Sequence, residues 1–356
     1  VKPEIEPALL TALKELVLED ANGAALWTLL VEAERQAMLA EPLDVPTGLP
    51  TPFYQRGLVT IYHGDGAAIG LQLAAAGVRG FVAFDPAYSP HVHASARSLG
   101  KRHGVVGSKA GGSLTSPANK RRKMEIGFDP LWPRDRRSLA RAAVALAARW
   151  IATFADTEGT WLWRLSLAAA GAEYVREGSW RKLCSTPQVS GDRPAVSREA
   201  ILLHHARGAR GKPKAKRWNG GGLPADWAIP IVLDRGSPDG EERVHTTQKP
   251  EELMVRLLEL FIDREDTDEP VIDLTAGSGT TGIGAVRNGR RCILVEREET
   301  YCRAMAARFD AESDGVAARA ASRGQLGLFA AASRRATKSE TPAGGAVGVS
   351  EREVVS

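Results

Sequence analysis

The stretch "VIDLTAGSGTTGIG", Val271–Gly284, constrains the fold more than any other part of the chain. An apolar run ends in Asp273, a turn carrying Gly277 and Gly279 follows, and an apolar helical pattern begins near Thr281. Glycines without Cβ let a ligand approach the backbone, and a helix starting there points its free N–H groups into the same space. Such a strand–turn–helix belongs to an α/β sheet with helices on its faces.

The rest of the chain supports that class. "GLVTIYHGDG" reads as a strand running into a polar turn, residues 67–77 as a helix, and "VRGFVAFDPAY" as a second strand. Helix 137–149, strand 150–155, helix 158–171, strand 173–181 and the strand "AILLHHA" come next. "HTTQKP" leads into an amphipathic helix, and after the glycine turn come strand "RCILVERE" and helix 299–311. Residues 1–43 read as a helical segment and 44–57 as a Pro/Gly-rich linker. Residues 58–312 read as one α/β domain, and 313–356 as a largely disordered tail.

Two carboxylates narrow the ligand. Asp273 ends its strand where a carboxylate suits an ammonium better than a pyrophosphate. Glu296 ends the next strand, where it can accept hydrogen bonds from both hydroxyls of a ribose. S-adenosylmethionine carries an ammonium, a ribose and no phosphate. The literal G-x-G-x-x-G at Gly277, Gly279 and Gly282 keeps a nicotinamide dehydrogenase open as another reading.

A methyl donor needs an acceptor, and "DPAY", Asp85–Tyr88, supplies the chemistry for one. An exocyclic amine on a nucleobase is a poor nucleophile because its lone pair is delocalised into the ring. Asp85 and the Pro86 carbonyl can accept hydrogen bonds from both amine protons, and Tyr88 can stack on a base drawn out of the duplex.

Charge points to the same partner. The net charge is only +4, but Lys101–Lys123 holds seven Lys/Arg and no acid, and Arg207–Arg217 holds six more without an acid. Such segments suit a polyanion. Candidate contacts to such a polyanion are Lys101, Arg102, Lys120, Arg121, Arg122 and Lys123 in the first, with Arg210, Lys212, Lys214, Lys216, Arg217 and the following Trp218 in the second. Trp180 and Trp218 are candidates for base stacking.

Cys184, Cys292 and Cys302 form no C-x-x-C pair, and the histidines show no ligand spacing, so neither a disulfide framework nor a metal site is implied. Without a long apolar run or a signal-peptide pattern, the expected location is the cytoplasm.

Taken in order, "DPAY" at 85–88, "HTTQKP" at 245–250 and "DLTAGSGTT" at 273–281 resemble the amino-methyltransferases of DNA. The match is to the permuted group, in which the catalytic motif precedes the cofactor motif. "WRKLCSTPQVSGDRPAVSREAILLHH" and "RWNGGG" further resemble phage- and prophage-type members, and the likeness spans roughly residues 58–311.

The resemblance implies a Rossmann-like, circularly permuted fold with a mixed, mostly parallel seven-stranded sheet. It implies a target-recognition region near 183–244 and S-adenosylmethionine as cofactor. Cofactor contacts carried over are Asp65 near the adenine, Thr247, Gln248 and Lys249 over the methionine end, and Asp273, Gly277, Gly279, Thr281 and Glu296. The catalytic tetrapeptide is Asp85, Pro86, Ala87 and Tyr88. Asp at its first position favours adenine N6 over cytosine N4 as the target. Double-stranded DNA is the expected partner, and a cognate restriction endonuclease is a further one that the resemblance allows.

The chain departs from the family at Ala87, where a second proline is usual, and at Leu274–Thr275, where Pro-Phe is usual. These departures leave a second reading, a DNA-binding protein with a degenerate site. Near the C-terminus "QLGLF", with Gln325, Leu326, Leu328 and Phe329, resembles the peptide by which bacterial proteins dock on the sliding clamp.

Overall fold

The computed structural model describes residues 23–88, 97–98, 122–123, 130–157, 159–183, 194–206, 217–232 and 248–322. In chain order the strands are β1 (Tyr54–Arg56), β2 (Val59–His63), β3 (Gly80–Phe84), β4 (Arg97–Ser98), β5 (Arg122–Lys123), β6 (Ala147–Ala155), β7 (Glu173–Leu183), β8 (Arg198–His205), β9 (Asp226–Pro230), β10 (Val271–Asp273) and β11 (Cys292–Glu296). The helices are α1 (Ala24–Ala40), α2 (Gly66–Ala75), α3 (Pro133–Leu146), α4 (Gly159–Ala170), α5 (Glu251–Phe261), α6 (Thr280–Arg287) and α7 (Glu299–Ser322).

One sheet has the order β1-β2-β11-β10-β3-β6-β8-β7-β9, and β4 pairs with β5 in a separate ribbon. The run β2-β11-β10-β3-β6 is parallel, and β7 and β9 are also parallel, whereas β1–β2, β6–β8 and β8–β7 are antiparallel. The sheet is thus mixed and mostly parallel as expected, but it has nine strands rather than seven. The two additions are the short edges β1 and β9. β1 lies inside the stretch read as the linker 44–57, because Tyr54–Arg56 folds back on Val59–Ile61.

Burial explains the order. Every residue of β3, "GFVAF", is buried, as a central parallel strand covered on both faces requires. On one face Leu73 (α2), Leu139 and Leu146 (α3) and Leu167 (α4) pack against the sheet. On the other, Phe261 of α5 meets Phe81 of β3 and Trp150 of β6. α1 is held to the first of these layers by charge. Glu34 accepts from Ser166 Oγ at 2.6 Å and Arg136 Nη2 at 3.2 Å, and Glu41 accepts from Arg137 Nε at 2.7 Å.

The chain divides into two compact units, Val1–Ala306 and Ala307–Ser356. The break falls inside α7, ahead of the boundary expected at residue 312, and α7 continues through the start of the expected tail to Ser322. Gln325–Phe329 lies outside the described residues. Among the described residues no helix is long and apolar enough to cross a membrane.

Candidate active site

The site lies at the carboxyl ends of β3, β10 and β11, where each strand gives way to a loop. The turn after β10 is built as the glycines require. Gly277 and Gly279 have φ of 52° and 77°, a region that favours glycine, and Gly279 is the N-cap of α6. Asp273 is buried at the strand end and accepts from Thr275 N at 2.9 Å and Thr281 Oγ1 at 2.6 Å. Glu296, ending β11, accepts from Gly277 N at 2.7 Å and Glu298 N at 2.8 Å, so one carboxylate ties the glycine turn to the next strand.

Asp65 is the N-cap of α2, accepting from Ala67 N at 3.1 Å and Ala68 N at 2.9 Å. A Cβ on the neighbouring Gly66 would stand 2.1 Å from Leu274 O, so only glycine lets the α2 turn lie against the β10 turn. Arg297 Nη2 reaches Asp65 Oδ2 at 3.3 Å.

The β3 loop carries Asp85, Pro86, Ala87 and Tyr88 into the same place. One cavity of about 280 Å³ is lined by all four of these residues, by Asp273, Gly277, Thr281 and Glu296, and by Asp65, Gln248 and Lys249. Residues far apart in sequence therefore share a single space. Thr247 lies outside the described residues.

Lys249 lines the same cavity as Asp273 and Glu296 and is also paired within it. Its Nζ lies 2.5 Å from Asp85 Oδ2 and 2.9 Å from Glu199 Oε1, and 5.1 Å from the centre of the Phe154 ring. Glu199 Oε2 in turn meets Lys182 Nζ at 2.7 Å. A chain of alternating charge, Asp85–Lys249–Glu199–Lys182, thus runs from the cavity lining at Asp85 and Lys249 back to β8 and β7. Sequence reasoning missed Glu199 and Lys182; the one signal was an acid at the head of the apolar strand "AILLHH".

These surroundings set the protonation states. Burial pulls the Lys249 ammonium down, but Asp85 and Glu199 outweigh it and hold it well above the usual lysine range. Burial pushes Glu199 up, but Lys249 and Lys182 prevail and keep it below its ordinary value. Asp85 is raised by burial, against the opposing pull of Lys249. The Glu199 charge and burial raise the Tyr88 phenol, which stays neutral. Asp273 is pushed up to about 7 by burial, because its donors are neutral.

The expected DNA contacts divide sharply. Leu131 N donates to Tyr88 O at 3.0 Å, so the residues that flank the stretch 89–129, which contains the first basic segment, meet at the cavity. Within it, Arg122 and Lys123 form β5, and Lys101, Arg102, Lys120 and Arg121 lie outside the described residues. The second segment has its ends at the far end of β8. Ala206 N donates to Arg149 O at 2.7 Å, and Arg217 O accepts from Trp150 Nε1 at 3.1 Å. Eight residues of strand separate these anchors from Glu199's end of β8, about 3.3 Å apiece. Arg210, Lys212, Lys214 and Lys216 lie outside the described residues.

"RWNGGG" closes the C-terminus of α5. Asn219 N donates to Leu260 O at 2.7 Å, and its Nδ2 reaches Glu259 O and Ile262 O at 2.9 Å each. The Trp218 ring lies 5.7 Å from Phe261. Trp180 is buried and donates to Ile229 O at 2.9 Å, which accounts for it as packing.

Residues 168–308 match the family N6_N4_Mtase, described as DNA methylase. A stretch of 70 residues is 39% identical to the type II methyltransferase M2.DpnII of Streptococcus pneumoniae, covering 20% of this chain and 25% of the relative. A stretch of 77 residues is 32% identical to the type II methyltransferase M.HinfI of Haemophilus influenzae, covering 21% of each. The chain thus spans about a quarter or less of the length of these curated relatives. Among solved structures, the M1.HpyAVI–SAM complex superposes with a TM-score of 0.46 at 17% identity, over 70% of this chain and 99% of that one. PvuII DNA methyltransferase (cytosine-N4-specific) superposes with 0.48 at 14% identity, over 73% and 89%.

Proposed function

We propose that the chain is an S-adenosylmethionine-dependent DNA methyltransferase that modifies the exocyclic amine of a flipped base, adenine N6 in preference to cytosine N4. The observation that carries this reading is the single cavity shared by the Asp85–Tyr88 loop and the Asp273/Glu296 turn. The match of residues 168–308 to a DNA methylase family supports it, and so does a motif order that resembles a permuted group of amino-methyltransferases.

The residues present fit the cofactor. Asp273 is a buried carboxylate whose hydrogen bonds come from neutral groups, which leaves its charge for a ligand ammonium. Glu296 stands at the end of the neighbouring strand, where its carboxylate can take ribose hydroxyls. Thr275 Oγ1 is buried without a partner beside them. Bound there, the sulfonium of S-adenosylmethionine supplies an activated methyl group.

The chain's own task is to present the acceptor. Asp85 and the Pro86 carbonyl accept hydrogen bonds from the amine, orienting its lone pair toward the methyl carbon. The neutral Tyr88 ring stacks on the extruded base. The amine proton is released after transfer, with Asp85 accepting it on the way to solvent. The first basic segment, in the stretch whose flanks Tyr88 and Leu131 line the cavity, holds the phosphates beside the flipped nucleotide. Gln325–Phe329 is a docking peptide for the sliding clamp; loss of clamp pull-down on Leu328→Ala with Phe329→Ala tests it. Pairing with a restriction endonuclease belongs to the same reading.

Purified protein, labelled S-adenosylmethionine and unmethylated DNA give the test. Label entering wild-type reactions and absent with Asp85→Ala supports the enzyme. Binding of cofactor and DNA without transfer would favour the degenerate binder, and Ala87→Pro is then the variant to make.

A further inference from the structure

Glu199 and Lys182 belong to no part of the reaction just described, yet both are drawn toward it. Glu199 is buried on β8 and bridges two ammonium groups, Lys249 at 2.9 Å and Lys182 at 2.7 Å. Lys249 is also buried, and its second contact is Asp85 Oδ2 at 2.5 Å. A buried lysine with two carboxylates is held by both, and neither can be removed without changing its hold on the other.

We propose that Glu199 and Lys249 are positioning residues that set the ionisation and orientation of Asp85 toward its amine acceptor. Lys249 engages one carboxylate oxygen, which fixes the rotamer and leaves Oδ1 for the substrate amine. Glu199 divides the attraction of Lys249, so that Asp85 is neutralised only in part and keeps its strength as an acceptor. Lys182 closes the chain and brings its four charges to zero. The inference rests on the methyltransferase reading of this site.

The signs follow from geometry. The groups facing Asp85 are Lys249 ahead of α5, Glu199 on β8, Lys182 on β7, Tyr88 on its own loop and Asp273 on β10, with Asp156 after β6 acting on Tyr88. Removing the Lys249 charge leaves Asp85 beside the like charge of Glu199 and raises it. Removing the Glu199 charge gives Lys249 wholly to Asp85 and lowers it. A scaffold role alone has no reason to move the two variants in opposite directions.

Single-turnover methyl transfer to DNA, at saturating S-adenosylmethionine and across pH, reads this directly. Lys249→Met moves the acid limb of the rate profile to higher pH, by about one unit, and Glu199→Gln moves it lower. Lys249→Arg and Glu199→Asp, which keep the charges, hold the wild-type limb. Cofactor affinity is measured separately for each variant, so that every rate is read with S-adenosylmethionine saturating. Limbs that stay in place, or shift the same way in both neutral variants, would overturn the inference while leaving Asp85-dependent methylation standing. No transfer by the wild type overturns the reading of the site together with it.

Discussion

Asp273 takes its two hydrogen bonds from neutral donors two and eight residues away in sequence, whereas Asp85 is met by an ammonium 164 residues away. Both carboxylates line one cavity. The first is left with an uncompensated charge, and the second is compensated by Lys249. Under the proposed function that difference divides the roles of the two halves: a cationic ligand goes to Asp273, and Asp85 accepts hydrogen bonds from a neutral amine. Had Lys249 been placed on Asp273, the cofactor's ammonium would have had no vacancy to fill.

The comparison breaks most visibly at the acceptor. Asp85→Ala removes one of the amine's two acceptors and lowers the transfer rate at least ~100-fold, with cofactor affinity unchanged. Equal loss of affinity and rate, measured by calorimetry and single turnover, would erase the distinction between the halves.

Asp273→Asn has the opposite profile. Cofactor affinity falls about 100-fold, as when one member of a buried charge pair is removed. The ligand-free protein gains stability above pH 7. The folded Asp273 titrates near 7, above its unfolded value, so the folded state binds more protons between the two. Stability of the free wild type therefore declines as pH rises from about 4 to 7, by on the order of 4 kcal/mol. Thermal melts of variant and wild type across that range check the sign.

The same titration governs binding. Between pH 8 and pH 6 the wild type loses cofactor affinity by about tenfold, because the carboxyl must ionise to hold an ammonium. Calorimetry in two buffers of different ionisation enthalpy counts the proton released.

The smallest effect separates the two basic segments. Charge reversal at Lys120 and Arg121 weakens DNA binding several-fold at low salt and flattens its salt dependence. Reversal at Lys212 and Lys214, in a segment whose ends are anchored at the opposite end of β8, changes it less. Filter binding across a salt series decides, and the reverse order would move the DNA track to the other end of the sheet.

The glycine turn was legible because its parts are local: a strand, two glycines, a threonine and an acid on the following strand. β3 was legible as an apolar run ending in Asp85. β1 and β9 were not, since three residues and "DWAIP" with its proline are weak strand signals that only pairing at an edge sustains. "RWNGGG" reads locally as a basic, glycine-rich loop, yet Asn219 and Trp218 are spent on α5, which the sequence places 30-odd residues later. Lys249 was found as part of a motif, but its partners come from the β3 loop and from β8, two strands away in the sheet. Long-range ion pairs leave no periodicity to read.

Under the proposed function this cavity methylates a base amine in DNA through Asp85. Its most direct test is DNA from a methylation-free bacterial host expressing the chain, digested to nucleosides and quantified by mass spectrometry beside an Asp85→Ala control. The expected result is N6-methyladenine in the wild-type sample and none in the control. N4-methylcytosine with the same dependence would keep the site and change its target, whereas folded protein that leaves both bases unmodified would contradict the account.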